Sequence, residues 1–253
     1  MTSHAARIGF VGHATVRIDL DGVRLVTDPV LRGRVAHLRR AAPLDRAAHH
    51  GVDVALVSHA HRDHLDLPSL RRLGPTVRLV VPRGLGRWMR RRGFAHVAEI
   101  AVGERLRIGA LEVEATPADH DGSRGPLGPR AEAIGYAVLG SRRLLFLGDT
   151  DLYGAMEGLV GGLDLALVPV WGWGPTLGRH RHLDPARAAE AVRRLGPRVA
   201  VPIHWGTYHP LQHGLRERPS FLSDPVEAFA RAAAVTAPEV EVRVLAPGQE
   251  TAI

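Results

Sequence analysis

"VSHAHRDHLD", residues 57–66, places His59, His61, Asp63 and His64 within six positions, directly after the apolar run VDVALV. A packed core rarely gathers three imidazoles and a carboxylate so closely, because each buried polar group must find a partner. A divalent ion needs such a set: neutral imidazole and carboxylate bind borderline ions at about 2.0–2.2 Å. The competing reading is a polar loop that happens to be rich in histidine. VDVALVS reads as a buried strand, so the cluster stands at a strand end.

Three further apolar runs end in the same residue types. LEVEATP leads into Asp119, His120 and Asp121; RRLLFLG leads into Asp149, Thr150 and Asp151; RVAVPI leads into His204 and Trp205. Four strand ends offering ligand residues predict one site at one edge of a sheet system, since rigid scaffolds present chemistry on their loops. Taken singly, His120 and His204 would each pass for hydrogen-bonded structural histidines, and Asp149 for the end of a turn. Five His and two Asp exceed what one tetrahedral ion uses, whereas two ions about 3.5–4 Å apart can share them. The chain has no cysteine and 15 histidines, so any transition-metal site must use nitrogen and oxygen donors.

The remaining elements fill in around that edge. RIGFVG, TVRIDL and VRLVTD read as three opening strands, with a hairpin turn at "DLDG". Residues 31–51 carry no clean period and read as a basic loop. Residues 67–73 and 84–92 read as helices, as do DPARAAEAVRRLG and DPVEAFARAAAV, each opening on Asp-Pro. RLVVP, ERLRIG, AIGYAVL, LDLALVPV and EVRVL read as strands. Two packed sheets with helices outside accommodate this order in one domain spanning residues 1–253.

Composition narrows the class. With 253 residues, 45% of them hydrophobic, and a mean hydropathy near zero, the chain reads as a soluble globular protein. No apolar run is long enough for a transmembrane segment, and the N-terminus lacks the layout of a signal peptide, so the expected compartment is the cytoplasm. All 33 basic residues are arginine and the net charge is +7. That balance is read as a preference for arginine, so no specific nucleic-acid partner is expected. Arg87, Arg90, Arg91 and Arg92 read as the solvated face of a helix.

"HAHRDH", His120, "GDTD" and "PIHWGT" together resemble the metal motifs of the metallo-β-lactamase superfamily. "FVGHATVRIDLDGVRLVTDPVL" is similar to the opening of the branch that includes ascorbate-phosphate lactonase-like and N-acyl-phosphatidylethanolamine phospholipase D-like proteins, and "HLDPARA" (182–188) is similar to a stretch they share. The resemblance implies an α/β fold, the four-layer αββα sandwich. It implies that His59, His61 and His120 hold one ion, that Asp63, His64 and His204 hold a second, and that Asp149 bridges. The two divalent ions would be zinc first, with manganese or iron as alternatives.

The implied activity is a dinuclear metal-dependent hydrolase, in which a metal-bound hydroxide cleaves a phosphodiester or similar phosphate-containing ester of a small-molecule or phospholipid-type substrate. A lactonase is the alternative, and a non-enzymatic metal sensor or scaffold is the reading from another class. Asp63 could hold or deprotonate the attacking water. His182 is either a proton donor to the leaving oxygen or a residue preceding the Asp184 helix cap. His13, Asp28, Asp119 and Asp121 either orient ligands or serve turns. Trp171, Trp173 and Trp205 are candidates to line a cleft, and arginines of the 31–46 loop to meet a phosphate. His180 is expected in solvent, and His49, His50, His209 and His213 carry no assignment. A homo-oligomer is compatible with these residues and not specified by them.

Overall fold

The computed structural model describes residues 5–44, 48–125, 127–172, 182–211 and 220–253. Chain order begins β1 (Arg7–Gly12), β2 (Thr15–Leu20), β3 (Val23–Thr27), β4 (Arg34–Val35), β5 (Leu38–Arg40), β6 (Val54–Leu56), α1 (Leu67–Arg72), β7 (Arg78–Pro82), α2 (Gly86–Arg90) and β8 (Val97–Ile100). It continues with β9 (Arg105–Ile108), β10 (Leu111–Pro117), β11 (Ile134–Leu139), β12 (Arg143–Phe146), β13 (Leu165–Pro169), α3 (Pro185–Leu195), β14 (Val199–Ile203), β15 (Tyr208–Pro210), α4 (Asp224–Thr236), β16 (Glu241–Val242) and β17 (Glu250–Ala252).

Among the described residues the first sheet runs β17-β1-β2-β3-β6-β7-β8 and the second β16-β14-β13-β12-β11-β10-β9. Their inner faces share one core, to which Phe10, Ile18, Leu25 and Leu56 come from the first sheet and Val113, Tyr136, Phe146 and Val201 from the second. Helices α3 and α4 pack on the outer face of the second sheet through Ala188, Val192, Phe229 and Ala233. On the other side, Leu70 of α1 and Met89 of α2 cover Val26, Ala55, Leu79 and Val81. The layers are therefore αββα. Strands buried on both faces read as continuous apolar runs, as VAL and LALVP do here. The Tyr136 hydroxyl donates across the sandwich to the Val57 carbonyl at 2.8 Å, which ties the sheets together.

Pairing directions place the functional edge. β1, β3 and β6 run the same way, because β2 is antiparallel to both β1 and β3 and β6 is parallel to β3. β10, β12 and β14 share a direction by the same reasoning. The carboxyl ends of the first three deliver His13, Asp28 and the 59–64 cluster; those of the second three deliver His120, Asp149 and His204.

The basic stretch 31–51 departs from a plain loop. It carries β4 and β5, which join β15 in a third, three-stranded sheet. These strands are two and three residues long, below what a sequence period can reveal. β8 and β17 also went unforeseen; both are short. EVRVL shortens to β16, and the last strand is β17, which pairs with β1. Helix α3 begins as expected, with the Asp184 side chain accepting from the Arg187 N–H at 2.9 Å. Asp224 instead lies inside the first turn of α4, and Ser223 holds the cap position without a side-chain bond.

Candidate metal centre

His59, His61 and His120 converge. His59 Nε2 lies 2.9 Å from His61 Nδ1, and His120 Nε2 lies 3.2 Å from the same atom. Donors at about 2.0–2.1 Å from one ion stand roughly 2.9–3.4 Å apart for right or tetrahedral angles, so the spacing fits a shared ion. His13, Asp63, His64 and His204 form a second group whose donor atoms lie within 4.8 Å of one another. Asp149 stands between the groups. Its Oδ2 is 3.3 Å from both His64 Nε2 and His182 Nδ1, and its Oδ1 is 3.2 Å from His204 Nε2. His64 Nε2 and Asp149 Oδ1 are buried and make no hydrogen bond to any described residue. Buried donors and acceptors left in that state are costly unless something else binds them, and a cation against an imidazole nitrogen and a carboxylate oxygen satisfies both. The residues present therefore fit the ions their chemistry implies.

Supporting groups turn the ring nitrogens inward. Asp28, fully buried, accepts from His64 Nδ1 at 2.7 Å, from the Ser58 N–H at 2.7 Å and from the Ser58 hydroxyl at 2.5 Å. Ser58 Oγ lies 2.9 Å from His59 Nδ1. One carboxylate thus orients a histidine of each group, an arrangement that fixes tautomer and ring direction. His204 Nδ1 donates to the Trp171 carbonyl at 2.6 Å, leaving Nε2 toward Asp149. Gly148 lets the two sheets' loops meet: its φ is 62°, and a Cβ there would lie 2.8 Å from that of Ser58. His13, Asp28 and His204 themselves take positive φ values of 58°, 33° and 64°. Such backbone is strained for residues with a Cβ and concentrates at functional sites; here it occurs where strands end at the rim.

Electrostatics keep the donors ready. Burial, reinforced by His64, holds His59 and His61 below the ordinary imidazole range, and burial pushes His204 down to about 3. These rings are neutral at pH 7, as ligands must be. Burial opposes ionisation of Asp63 and Asp149, yet both stay well below the usual carboxylate range, Asp63 through His64 and His13, Asp149 through His204 and His64. His64 goes the other way: against burial, Asp149, Asp28 and Asp63 raise it.

His182 stands at the mouth, 13% exposed, with its ring 4.7 Å from that of His120. Burial lowers its basicity, but the contact with Asp149 wins and raises it. Its placement is determined by its neighbours. The Leu183 N–H donates to the Thr150 carbonyl at 2.9 Å, Asp184 caps α3, and Arg187 donates to Asp151 at 2.7 Å. A Cβ on Gly172 would collide with the His182 side chain.

Several expectations separate here. His13 and Asp28 join the site, His13 through a 3.1 Å contact of Nε2 with Asp63. Asp119 sits opposite Asp151 in an isolated bridge, and Asp121 accepts from the Ser123 N–H. Trp205 is packing, stacked on Phe10 and donating to the Pro202 carbonyl. Trp171 stacks on Phe221 with centroids 5.1 Å apart. Arg32 is spent on Asp66, and Arg40 donates to the carbonyls of Val11 and Ala42. His49 and His50 touch each other, and His209 pairs opposite Arg39 in the small sheet. Trp173, His180, His213 and Arg46 lie outside the described residues. Ser58, the Trp171 carbonyl and the Asp151–Arg187 pair escaped sequence reading, since ordinary serines, carbonyls and ion pairs carry no motif.

A family model described as a β-lactamase superfamily domain matches residues 23–205. The chain is 33% identical over 226 residues to an N-acyl-phosphatidylethanolamine-hydrolyzing phospholipase D of Caenorhabditis elegans, covering 79% of this chain and 63% of that protein. It is 30% identical over 252 residues to a protein named metal-dependent hydrolase in Methanopyrus kandleri, covering 96% and 98%. A metallo hydrolase structure from Ignicoccus hospitalis superposes with a TM-score of 0.76 at 22% identity over 99% of both chains. A diiron β-hydroxylase from Streptomyces venezuelae superposes at 0.72 and 20% identity, covering all of this chain and 55% of that one.

Proposed function

Since the chain belongs to the β-lactamase superfamily, we propose that it is a metal-dependent hydrolase that cleaves a phosphodiester or similar phosphate-containing ester at two divalent ions. The observation that carries this is Asp149, whose two oxygens face His64, His182 and His204 between the two donor groups. In this reading His59, His61 and His120 hold one ion, Asp63, His64 and His204 the other, and Asp149 serves both. The donors suit zinc, manganese or iron alike.

Two divalent ions held there stabilise a developing oxyanion and lower the pKa of water toward neutrality. Asp63, 20% exposed and kept ionised, orients the attacking water or takes its proton. His182, with its raised pKa and partial exposure, gives a proton to the leaving oxygen. A phospholipid-type substrate is supported by the relative named for such a lipid and by the half-buried Trp171–Phe221 pair, an apolar surface next to the carbonyl that holds His204. Among the described residues no helix is long and apolar enough to cross a membrane, and the reading keeps the protein in the cytoplasm.

The test is elemental analysis after purification without chelator, followed by turnover of phosphodiesters and lactones on the metal-loaded protein. About two ions per chain and preferential phosphodiester cleavage are expected; absence of metal with no rebinding of zinc or manganese would remove the reading. His182→Ala should lower kcat by about 10²–10⁴ on alkyl esters with unchanged metal content. The loss should shrink for p-nitrophenyl esters, whose leaving group needs little protonation. An equal loss on both ends the proton-donor role.

A further inference from the structure

A second concave site lies against the outside of the 59–66 loop. It is a cavity of about 470 Å³ whose lining includes Arg62, Arg92, Arg124, Trp88, Leu67 and Leu127, with no acidic side chain among the described residues that line it. The three arginines come from distant parts of the chain: Arg62 from between His61 and Asp63, Arg92 from just past α2, and Arg124 from the loop after β10. Arg92 lies over the Trp88 ring at 3.7 Å and Arg124 over the same ring at 5.3 Å. The indole thus holds two guanidiniums in place. Arg124 is further fixed by donating to the carbonyls of Ala60, at 2.7 Å, and Leu65.

Like charges gathered this way repel. Burial first, then Arg62, with Arg92 adding to it, push Arg124 down to about 10, and Asp66 and Asp63 offset this only in part. Those two carboxylates are committed elsewhere, Asp66 to Arg32 and Ser69, Asp63 to His13. Leu127, fully exposed, and the half-buried Leu67 and Trp88 add an apolar wall. Arg92 is exposed, as the solvated face read from the sequence requires, and it also lines this pocket.

We propose that this pocket is an organic-phosphate site, separate from the metal donors, in which Arg62, Arg92 and Arg124 bind the oxyanion and Trp88, Leu67 and Leu127 take its apolar body. Guanidinium forks match phosphate oxygens in pairs, and the apolar side chains lining the pocket give the ligand's hydrocarbon a surface to cover. The site makes no use of the ester chemistry proposed above and stands without it.

Phenyl phosphate is the probe, titrated by calorimetry into the metal-loaded protein and into protein treated with chelator. Phosphate bound by the metal ions disappears with the chelator; a saturable component of one per chain is expected to remain. Arg62→Ala and Arg92→Ala should each weaken that component at least fivefold, with circular dichroism and metal content unchanged. Trp88→Leu should weaken phenyl phosphate more than inorganic phosphate. Arg124→Ala is unsuitable, because it also cuts the ties to Ala60 and Leu65. Absence of a metal-independent component, a change below fivefold in either arginine variant, or an equal effect of Trp88→Leu on the two probes overturns the proposal. Because the measurement reads binding without metal, its failure is distinct from failure of the hydrolase reading.

Discussion

The two rims of the site are built on opposite plans. The first sheet concentrates its donors: His59, His61, Asp63 and His64 follow a single strand, His13 joins them from the end of β1, and Asp28 and Ser58 hold two of the rings from behind. The second sheet contributes three solitary residues, His120, Asp149 and His204, from three strands. Redundancy sits on the first side and dependence on the second. A loop that carries several donors can lose one and keep its shape, whereas a lone carboxylate between the two groups has no neighbour to replace it.

Asp149→Ala is the sharpest way to break that comparison. It removes at once the carboxylate that faces His64, His182 and His204. Hydrolysis should fall by more than about 10⁴ and metal content should drop, judged by turnover and elemental analysis together. Near-parental turnover would mean the second rim is not the dependent one. Asp28→Asn tests the first rim. The amide keeps the shape but loses the charge and one acceptor for Ser58 and His64, so metal affinity should weaken about 10–100-fold, measured by competition with a chromogenic chelator. The smallest effect is expected at Asp184→Ala, which deletes the cap of α3. Stability should fall by about 1 kcal/mol, or roughly 2–4 °C in Tm. Metal content should hold and kcat should fall several-fold through His182, the residue two positions earlier. A loss of metal in that variant would show that α3 supports the ion site directly.

Legibility followed the same division. The first rim is visible as a motif because its donors are close in sequence, and the strands behind it are visible because apolar runs of five or six residues exceed chance. The second rim was legible only as a set, each member alone resembling an ordinary strand-end residue. Asp28 and His13 stood open in the sequence because turn and ligand-orienting roles call for the same residue types; the 2.7 Å contact with His64 and the 3.1 Å contact with Asp63 decide them. The contacts of the arginines were not legible. Arg32 and Arg40 of the basic stretch are occupied by internal partners, while Arg92, exposed as the sequence suggests, also stacks on Trp88. A guanidinium reaches far enough that its destination depends on tertiary neighbours, not on local pattern.

The small sheet of β4, β5 and β15 has a consequence in time. It locks the segment after His204 to residues near the start of the chain, with the Ala41 N–H on the Thr207 carbonyl and the His13 N–H on the Thr207 hydroxyl. His59 and His204 lie 145 positions apart. At ribosomal speeds of about 5–20 residues per second, the histidine-rich loop emerges roughly 7–30 s before its last partner. During that interval three imidazoles and a carboxylate are available to any passing cation, with nothing yet to exclude the wrong one. The clasp cannot close until the chain has passed β15, so any selection among ions belongs to the finished fold, and an ion captured earlier must be given up or carried through.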